Sequence, residues 1–447
     1  MFDMHFFELH TARTFVKHRR TGELLMRSFA PTPFEQEWIE KAQALKPILA
    51  ERARGLDEDG GWPEENFKLL TEQGFMKLAV PRQYGGAGSD DAGFSFACNA
   101  VLEVIASVCG NTAWALQAQF HCIGLIAHLG NEEQKTRILG DVAETGARLS
   151  SCGSEVRPPK TNVTAVGADG KLSFESDLTP VEGGFLANGN KGFTTMGAAA
   201  KYLLFWALAP GTSDTDHGVC LVVIEQPNSG IEFLKDWEEA AAIRASASGM
   251  AKFSNIFVPW KNVIGQPGDF NQIHNYTFEI AYTTIALGCA QGMYDIARET
   301  VAERPFLQKD DTIMYALGEM STQIESTRAL WWRAQWLYDQ KDWGKAAFTT
   351  LQALHASKET ALDVSRAVVD VVGTRAMFKW NPIQRLIRDA RMVTLHTRES
   401  LIMRTVAQQL LKNEYFPKAK YGSKLPAGAR KTWDELSKAW EELGLVK

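Results

Sequence analysis

The chain has 447 residues, 45% of them hydrophobic and 23% charged, with a formal net charge of −5. That length exceeds one ordinary hydrophobic core and predicts two or three domains. The negative balance argues against nucleic acid as a partner, since phosphate binding needs clustered Lys and Arg. No apolar run approaches the roughly 20 residues that cross a bilayer, so no membrane partner is expected.

The first 33 residues form an N-terminal extension whose basic run, Lys17-His18-Arg19-Arg20, reads as a solvated face. Without a signal-peptide core, this N-terminus places the chain in the cytoplasm. The cysteines (Cys98, Cys109, Cys122, Cys152, Cys220 and Cys289) make no CxxC pair and no zinc-type spacing. A reducing compartment and no metal are therefore expected.

Ala30-Pro31-Thr32-Pro33 is a break that helices do not cross. A helical domain follows over 34–148. Pro63 opens a helix with Phe67 and Leu70 on one face, and Gly74 closes it. Asn131 reads as an N-cap with Gln134 three residues on, and Glu132 and Glu133 favour the positive end of the helix dipole. Over 149–265 short β-rich runs appear at 202–208, 219–224 and 250–258. The turn clusters Ala168-Asp-Gly170, Glu182-Gly-Gly184 and Asn188-Gly189 punctuate this stretch, which reads as a small antiparallel β-domain.

From 266 to 447 the pattern is helical again. Leu317, Met320, Ile324, Thr327, Trp331 and Ala334 follow a 3/4 spacing and mark one buried seam. Similar helices over 278–302, 343–372 and 384–411 complete an antiparallel four-helix bundle with a C-terminal tail. The fold class is α+β in the order helical domain, β-domain, helical bundle.

No GxGxxG, P-loop, HExxH or GxSxG carries the chemistry. Tyr84-Gly-Gly-Ala-Gly-Ser89 has the wrong glycine spacing for a dinucleotide turn and follows a helix. Asn162-Val-Thr164 would need a secreted context to be glycosylated. Trp331, Trp332, Trp336 and Trp343 stand at helical spacing and read as core and interface.

Six segments in order resemble the acyl-CoA dehydrogenase superfamily over about 34–412. Pro81-Arg-Gln-Tyr-Gly-Gly86 resembles its P-x-x-Y-G-G turn, and Gly130 to Leu139 its G-x-x-x-Q-K-x-x-x-L helix. Asn188-Gly-Asn-Lys191, then Gly-Phe-Thr-Thr195, resembles N-G-x-K-x-W-I-T. Phe253 to Pro259 with Val263-Ile-Gly265 resembles the exit from the β-domain. Arg304, Leu317-Gly-Glu-Met320 and Arg328 resemble the first bundle hairpin. Gly373, Pro382, Arg385 and Arg388-Asp-Ala390 resemble G-G…P…R-x-x-R-D-A.

The resemblance implies a flavin, FMN or FAD, between the β-domain and the bundle, with its tail reaching a neighbouring subunit of a homotetramer. Phe193, Thr194 and Thr195 would line the isoalloxazine, an aromatic face and hydroxyls being suited to its ring and carbonyl edge. Arg304 would reach a phosphate or ribose. Gly373 and Thr374 would admit the pyrophosphate to close backbone approach.

The dehydrogenases of the superfamily take a substrate proton with a glutamate, and both of its usual positions differ here. After Arg388-Asp-Ala-Arg391, the aromatic-Glu-Gly-Thr segment reads Leu395-His396-Thr397-Arg398, with Thr397 in the glutamate's place. The second position, early in the first bundle helix, is Ala281; Glu279 lies two residues away, roughly 200° round the helix. Leu395-His396 instead resembles the two-component flavin monooxygenases of this fold, the dibenzothiophene monooxygenase-like group, in which a histidine lies over the flavin. Imidazole suits proton transfer near neutral pH. By the same resemblance His121 would lie on the substrate side, and Ser154 in Ser151-Cys-Gly-Ser154 would bond flavin or substrate.

The expected function is a monooxygenase that takes reduced flavin from a separate reductase, and O2, to oxygenate a small aromatic, heteroaromatic, sulfur or amine substrate. Two alternatives stand beside it: an FAD-dependent acyl-CoA dehydrogenase with a relocated carboxylate, Glu279 or Glu399, and a catalytically silent binding subunit.

Overall fold

The computed structural model describes residues 30–88, 95–157, 162–164, 175–212, 218–272, 277–412, 431–442 and 444. The basic run at 17–20, Ser89 and the turn cluster at 168–170 lie outside them.

Helix α1 (Pro33–Asp59) starts on a capping box: the Thr32 hydroxyl accepts from the Glu35 amide, and the Glu35 carboxylate accepts from the Thr32 amide. Its Trp38, Ala42, Leu45, Leu49 and Ala53 are buried at helical spacing. Helix α2 (Glu64–Glu72) follows Pro63 and buries Phe67 and Leu70. Helices α3 (Phe96–Ala106) and α4 (Gly110–Leu129) are buried on nearly every face, which makes them the centre of the domain. Helix α5 (Glu132–Thr145) carries the expected Asn131–Gln134 capping box.

The middle domain is two sheets. One runs β1 (Leu149–Cys152), β6 (Tyr202–Leu208), β7 (Val219–Glu225), β10 (Val263–Ile264). The other runs β3 (Asn162–Thr164), β2 (Ser154–Arg157), β5 (Gly184–Gly192), β9 (Ala251–Pro259), β8 (Ile231–Phe233), with β4 (Asp177–Val181) also on β5. Pairing is antiparallel except between β1 and β6, which are parallel. The chain between them detours through the second sheet, and so long a crossover permits a parallel return. Asn188-Gly189 is not a turn, against expectation. It lies inside β5 as a bulge against β9, and a Cβ on Gly189 would fall 2.0 Å from the Ser176 hydroxyl. A β-domain core formed by Phe185, Phe205, Phe253 and their neighbours receives Trp433, Leu436 and Trp440 of the C-terminal helix.

The bundle comprises α6 (Thr277–Ala302), α7 (Asp311–Asp339), α8 (Trp343–Val372), α9 (Pro382–Thr394) and α10 (Glu399–Lys412); α11 (Trp433–Glu442) is the helix on the β-domain. Met320, Ile324, Thr327, Trp331 and Ala334 of the α7 seam are buried. The helix expected over 384–411 is instead two, broken at 395–398. The last turn of α9 tightens, with the His396 amide bonding the Val393 carbonyl at 3.2 Å, and Lys358 of α8 donates to the freed Thr397 carbonyl. Periodicity runs through such a break because both helices keep an apolar face.

Candidate functional site

The site is built where α4, α6, the α9–α10 break and the end of strand β5 meet. Beyond β5 the chain turns sharply. Phe193 takes φ 54° and Met196 φ 53°, a left-handed backbone that L side chains rarely adopt. The turn is held by the 243–249 loop: the Thr194 amide and hydroxyl both bond the Gly249 carbonyl, and the Met196 amide bonds the Ser246 carbonyl.

That loop is itself pinned by the two helices. Asp389 of α9 accepts the Ile243 amide at 2.9 Å, and Asn111 of α4 accepts the Ala245 amide at 2.8 Å. The Asp of the Arg-Asp-Ala segment therefore positions the loop that supports Thr194 and Thr195. A third anchor lies beneath β5. Lys191, fully buried, pairs with the equally buried Glu155 and donates to the Trp206 carbonyl.

Thr195 joins the β-domain to the helices. Its hydroxyl accepts from the indole of Trp114 on α4 at 3.2 Å and shares a hydrogen bond with Ser248 at 2.8 Å; its carbonyl accepts from Ser150 at 2.7 Å. Trp114 in turn packs on Tyr282 of α6, with ring centroids 5.1 Å apart, and edge-on to His396 at 6.2 Å. Tyr282 and His396 stack at 3.7 Å and 31°. One continuous contact path therefore runs Ser248–Thr195–Trp114–Tyr282–His396.

His396 keeps an exposed face while Tyr282, Trp114 and the α8 side enclose the rest. Loss of water on the packed side, then the nearby Lys358 ammonium, push its pKa down to about 3, so the ring is neutral at pH 7. Its Nδ1 lies 3.2 Å from the Thr397 hydroxyl, which leaves Nε2 for a ligand. Lys358, 3% exposed, donates to the Thr397 carbonyl and sits 3.6 Å from Glu399, which also bonds His355. This network holds the loop carrying His396.

The two relocated carboxylates fare differently. Glu399 is taken by Lys358 and His355. Glu279 stands three residues before Tyr282 on the same face of α6, and its Oε2 is enclosed without a hydrogen-bond partner among the described residues. Burial pushes its pKa up to about 7.

The other expected site residues divide into three groups. Phe193 is 48% exposed and edge-on to Trp237 at 5.8 Å, and Thr194 and Thr195 are buried behind it. Ser154 opens β2 and registers with Gly192, next to Phe193, but it is Ser150 that touches Thr195. His121 is buried on α4, seven residues from Trp114 and so on the same face, about 10 Å farther along. Its burial drives its pKa well below the ordinary value.

Arg304, Gly373 and Thr374 stand apart. Arg304 follows the end of α6 and lies 22 residues from Tyr282, about 30 Å along the helix. Gly373 caps α8 at φ 76° with open space for 4 Å around the place a Cβ would take, and Thr374 beside it is exposed. In the up-down bundle the C-terminal ends of α6 and α8 lie at the end opposite His396.

The residues present fit a flavin: an exposed aromatic ring at a left-handed turn with hydroxyls and backbone around it, joined through Thr195, Trp114 and Tyr282 to a neutral imidazole. Sequence reasoning missed Trp114, Tyr282, Ser248 and Lys358. Only Tyr282 carried a local signal, its i+3 spacing from Glu279. Among the described residues no cluster of three or more His, Cys, Asp or Glu could hold a metal ion, and no helix is long and apolar enough to cross a membrane.

Residues 39–145 match the family model "Acyl-CoA dehydrogenase, N-terminal domain", and residues 280–400 match "Acyl-CoA dehydrogenase, C-terminal domain". A short-chain specific acyl-CoA dehydrogenase of Clostridium acetobutylicum is 29% identical over 371 residues, covering 81% of this chain and 92% of that one. Butyryl-CoA dehydrogenase of Megasphaera elsdenii superposes with TM-score 0.77 at 23% identity, over 86% of this chain and 100% of that one. Dibenzothiophene monooxygenase of a Paenibacillus species superposes with TM-score 0.73 at 20% identity, over 87% and 100%. The helical, β-sheet and bundle regions observed here are those of that fold, and the chain belongs to the acyl-CoA dehydrogenase superfamily of flavin-dependent oxidoreductases.

Proposed function

We propose that this chain is a flavin-dependent monooxygenase that receives reduced flavin from a separate reductase and uses O2 to oxygenate a small organic substrate. The observation that carries the reading is the α9–α10 break. Thr397 stands where a dehydrogenase of the resembled type has its carboxylate, and the neighbouring His396 offers a neutral imidazole to the site.

The flavin, when bound in reduced form, supplies the electrons that activate O2. Phe193 would cover the ring, with Thr194, Thr195 and Ser154 shaping its edge. Arg304, Gly373 and Thr374, about 30 Å away in the same chain, would serve the flavin of a neighbouring subunit in a homotetramer. His396 Nε2, on a neutral ring held in place by Tyr282 and the Lys358-anchored loop, would hydrogen-bond the reacting oxygen and take its proton. His121, neutral and buried farther along α4, would line the substrate side.

The test is incubation of the purified protein with reduced FMN or FAD under 18O2 and a panel of heteroaromatic, sulfur and amine substrates. One 18O atom in a product supports the reading. Anaerobic reduction of bound flavin by butyryl-CoA, with no labelled product, would overturn it. That outcome belongs to a second reading, a dehydrogenase with a relocated base, which Glu279 favours because its pKa near 7 suits proton abstraction.

A further inference from the structure

We propose that Glu279 is a recognition residue that receives an N–H donor from a flat aromatic substrate lying against Trp114, Tyr282 and His396. The proposal rests on the monooxygenase reading for the place of the substrate, and it adds the substrate's chemical class.

The other buried carboxyls of this protein have donors from the protein itself. Glu103 takes Arg328 and the Trp331 indole; Glu155 takes Lys191 and Ser176; Asp57 takes Arg388; Asp389 takes the Ile243 amide on Oδ1, while its Oδ2 has no partner among the described residues. Glu279 receives its own backbone amide and no side-chain donor, and its Oε2 is enclosed without a partner among the described residues. A buried polar atom without a partner is destabilising, and a site that leaves one is built for a partner that arrives with the ligand.

The neighbours of that carboxyl set the shape of the ligand. Tyr282 is one turn along on the same face of α6, and its ring meets both Trp114 at 5.1 Å and His396 at 3.7 Å. Three ring surfaces in one contact path, with Tyr282 one turn from the carboxyl, favour a planar ring carrying a donor. The nearby cation of the site, Lys358, is engaged with the Thr397 carbonyl and Glu399. Burial pushes the carboxyl's pKa up to about 7, so a neutral N–H satisfies it without a full counter-charge.

A buried hydrogen bond of this kind discriminates by about tenfold to a hundredfold against a ligand that lacks the donor. The experiment is calorimetric titration of the protein loaded with oxidised flavin, so that no turnover occurs, using indole and 1-methylindole. Wild type should bind indole at least about tenfold more tightly. Glu279→Leu should bring the two affinities together, while Glu279→Gln, whose amide oxygen still accepts, should keep a preference.

Equal affinities in wild type, no measurable binding of either compound, or a preference that survives in Glu279→Leu overturns the proposal. If the leucine variant does not fold, the wild-type ratio and the glutamine variant still decide it. An intact preference with no 18O incorporation would remove the monooxygenase reading alone, so the two failures are distinguishable.

Discussion

Tyr282 lays its ring on the imidazole of His396, with centroids 3.7 Å apart and planes 31° from parallel. This contact joins the start of the bundle's first helix to the break between α9 and α10. It covers one face of His396, and the Thr397 contact at Nδ1 leaves Nε2 for a ligand.

Replacement of His396 by Ala is therefore expected to act on chemistry rather than on folding. Product formation should fall by about 10²–10⁴, the usual loss for a general acid or base. Flavin affinity and the melting temperature should stay near wild type, because the residue keeps an exposed face. Unchanged turnover would remove His396 from the mechanism.

The Lys358 ammonium acts on the same imidazole. Lys358→Met keeps the apolar stem and loses the tie to the Thr397 carbonyl. Turnover should drop by about tenfold to a hundredfold through misplacement of the loop. Removing the ammonium should also raise the His396 pKa, read by a histidine NMR titration. It should remain below the ordinary value, since burial, the larger cause, is untouched and Tyr282 still covers the ring. Glu399 and Arg391, which act on Lys358, and His355, which bonds Glu399, remain in place in both proteins.

Glu279 makes stability depend on pH. Its folded pKa of about 7 lies above the ordinary carboxyl value of 4.5, so folding favours the protonated form. The contribution is fully present below about pH 4.5 and is lost as pH rises through about 7. Glu279→Gln removes that loss. The variant should gain stability over wild type at pH 8.5, on the order of 1–3 kcal/mol and read as a raised melting temperature, and gain little at pH 5. An equal difference at both pH values would show that the carboxyl is not desolvated in solution.

The separation of Arg304 from Thr195 and His396 bears on assembly. Arg304→Ala should weaken flavin binding without changing the His396 environment, because its partner flavin would lie in the neighbouring subunit. Light scattering should return a particle of roughly four chains. A monomer that binds flavin at full affinity would refute both the tetramer and the shared site.

The local elements of this fold are legible in the sequence. The Asn131–Gln134 capping box, the α7 seam from Met320 to Ala334 and the strands at 202–208 and 219–225 all follow from spacings of a few residues. Those spacings report which face is buried and where a cap stands, both set within one or two turns of chain. The family segments are visible for the same reason.

Tertiary structure decided the rest. No periodicity announces that His396 sits in a break, because the tie at Thr397 comes from Lys358 on another helix. Nothing near Trp114 indicates that its indole will reach Thr195 and its ring Tyr282. Of the two carboxylates that sequence left open, Glu399 bonds His355 and lies 3.6 Å from Lys358, while Glu279 Oε2 is left enclosed one turn from Tyr282. The choice between them depends on which donors long-range packing brings within hydrogen-bond reach, and burial raises the pKa of the carboxyl that receives no side-chain donor.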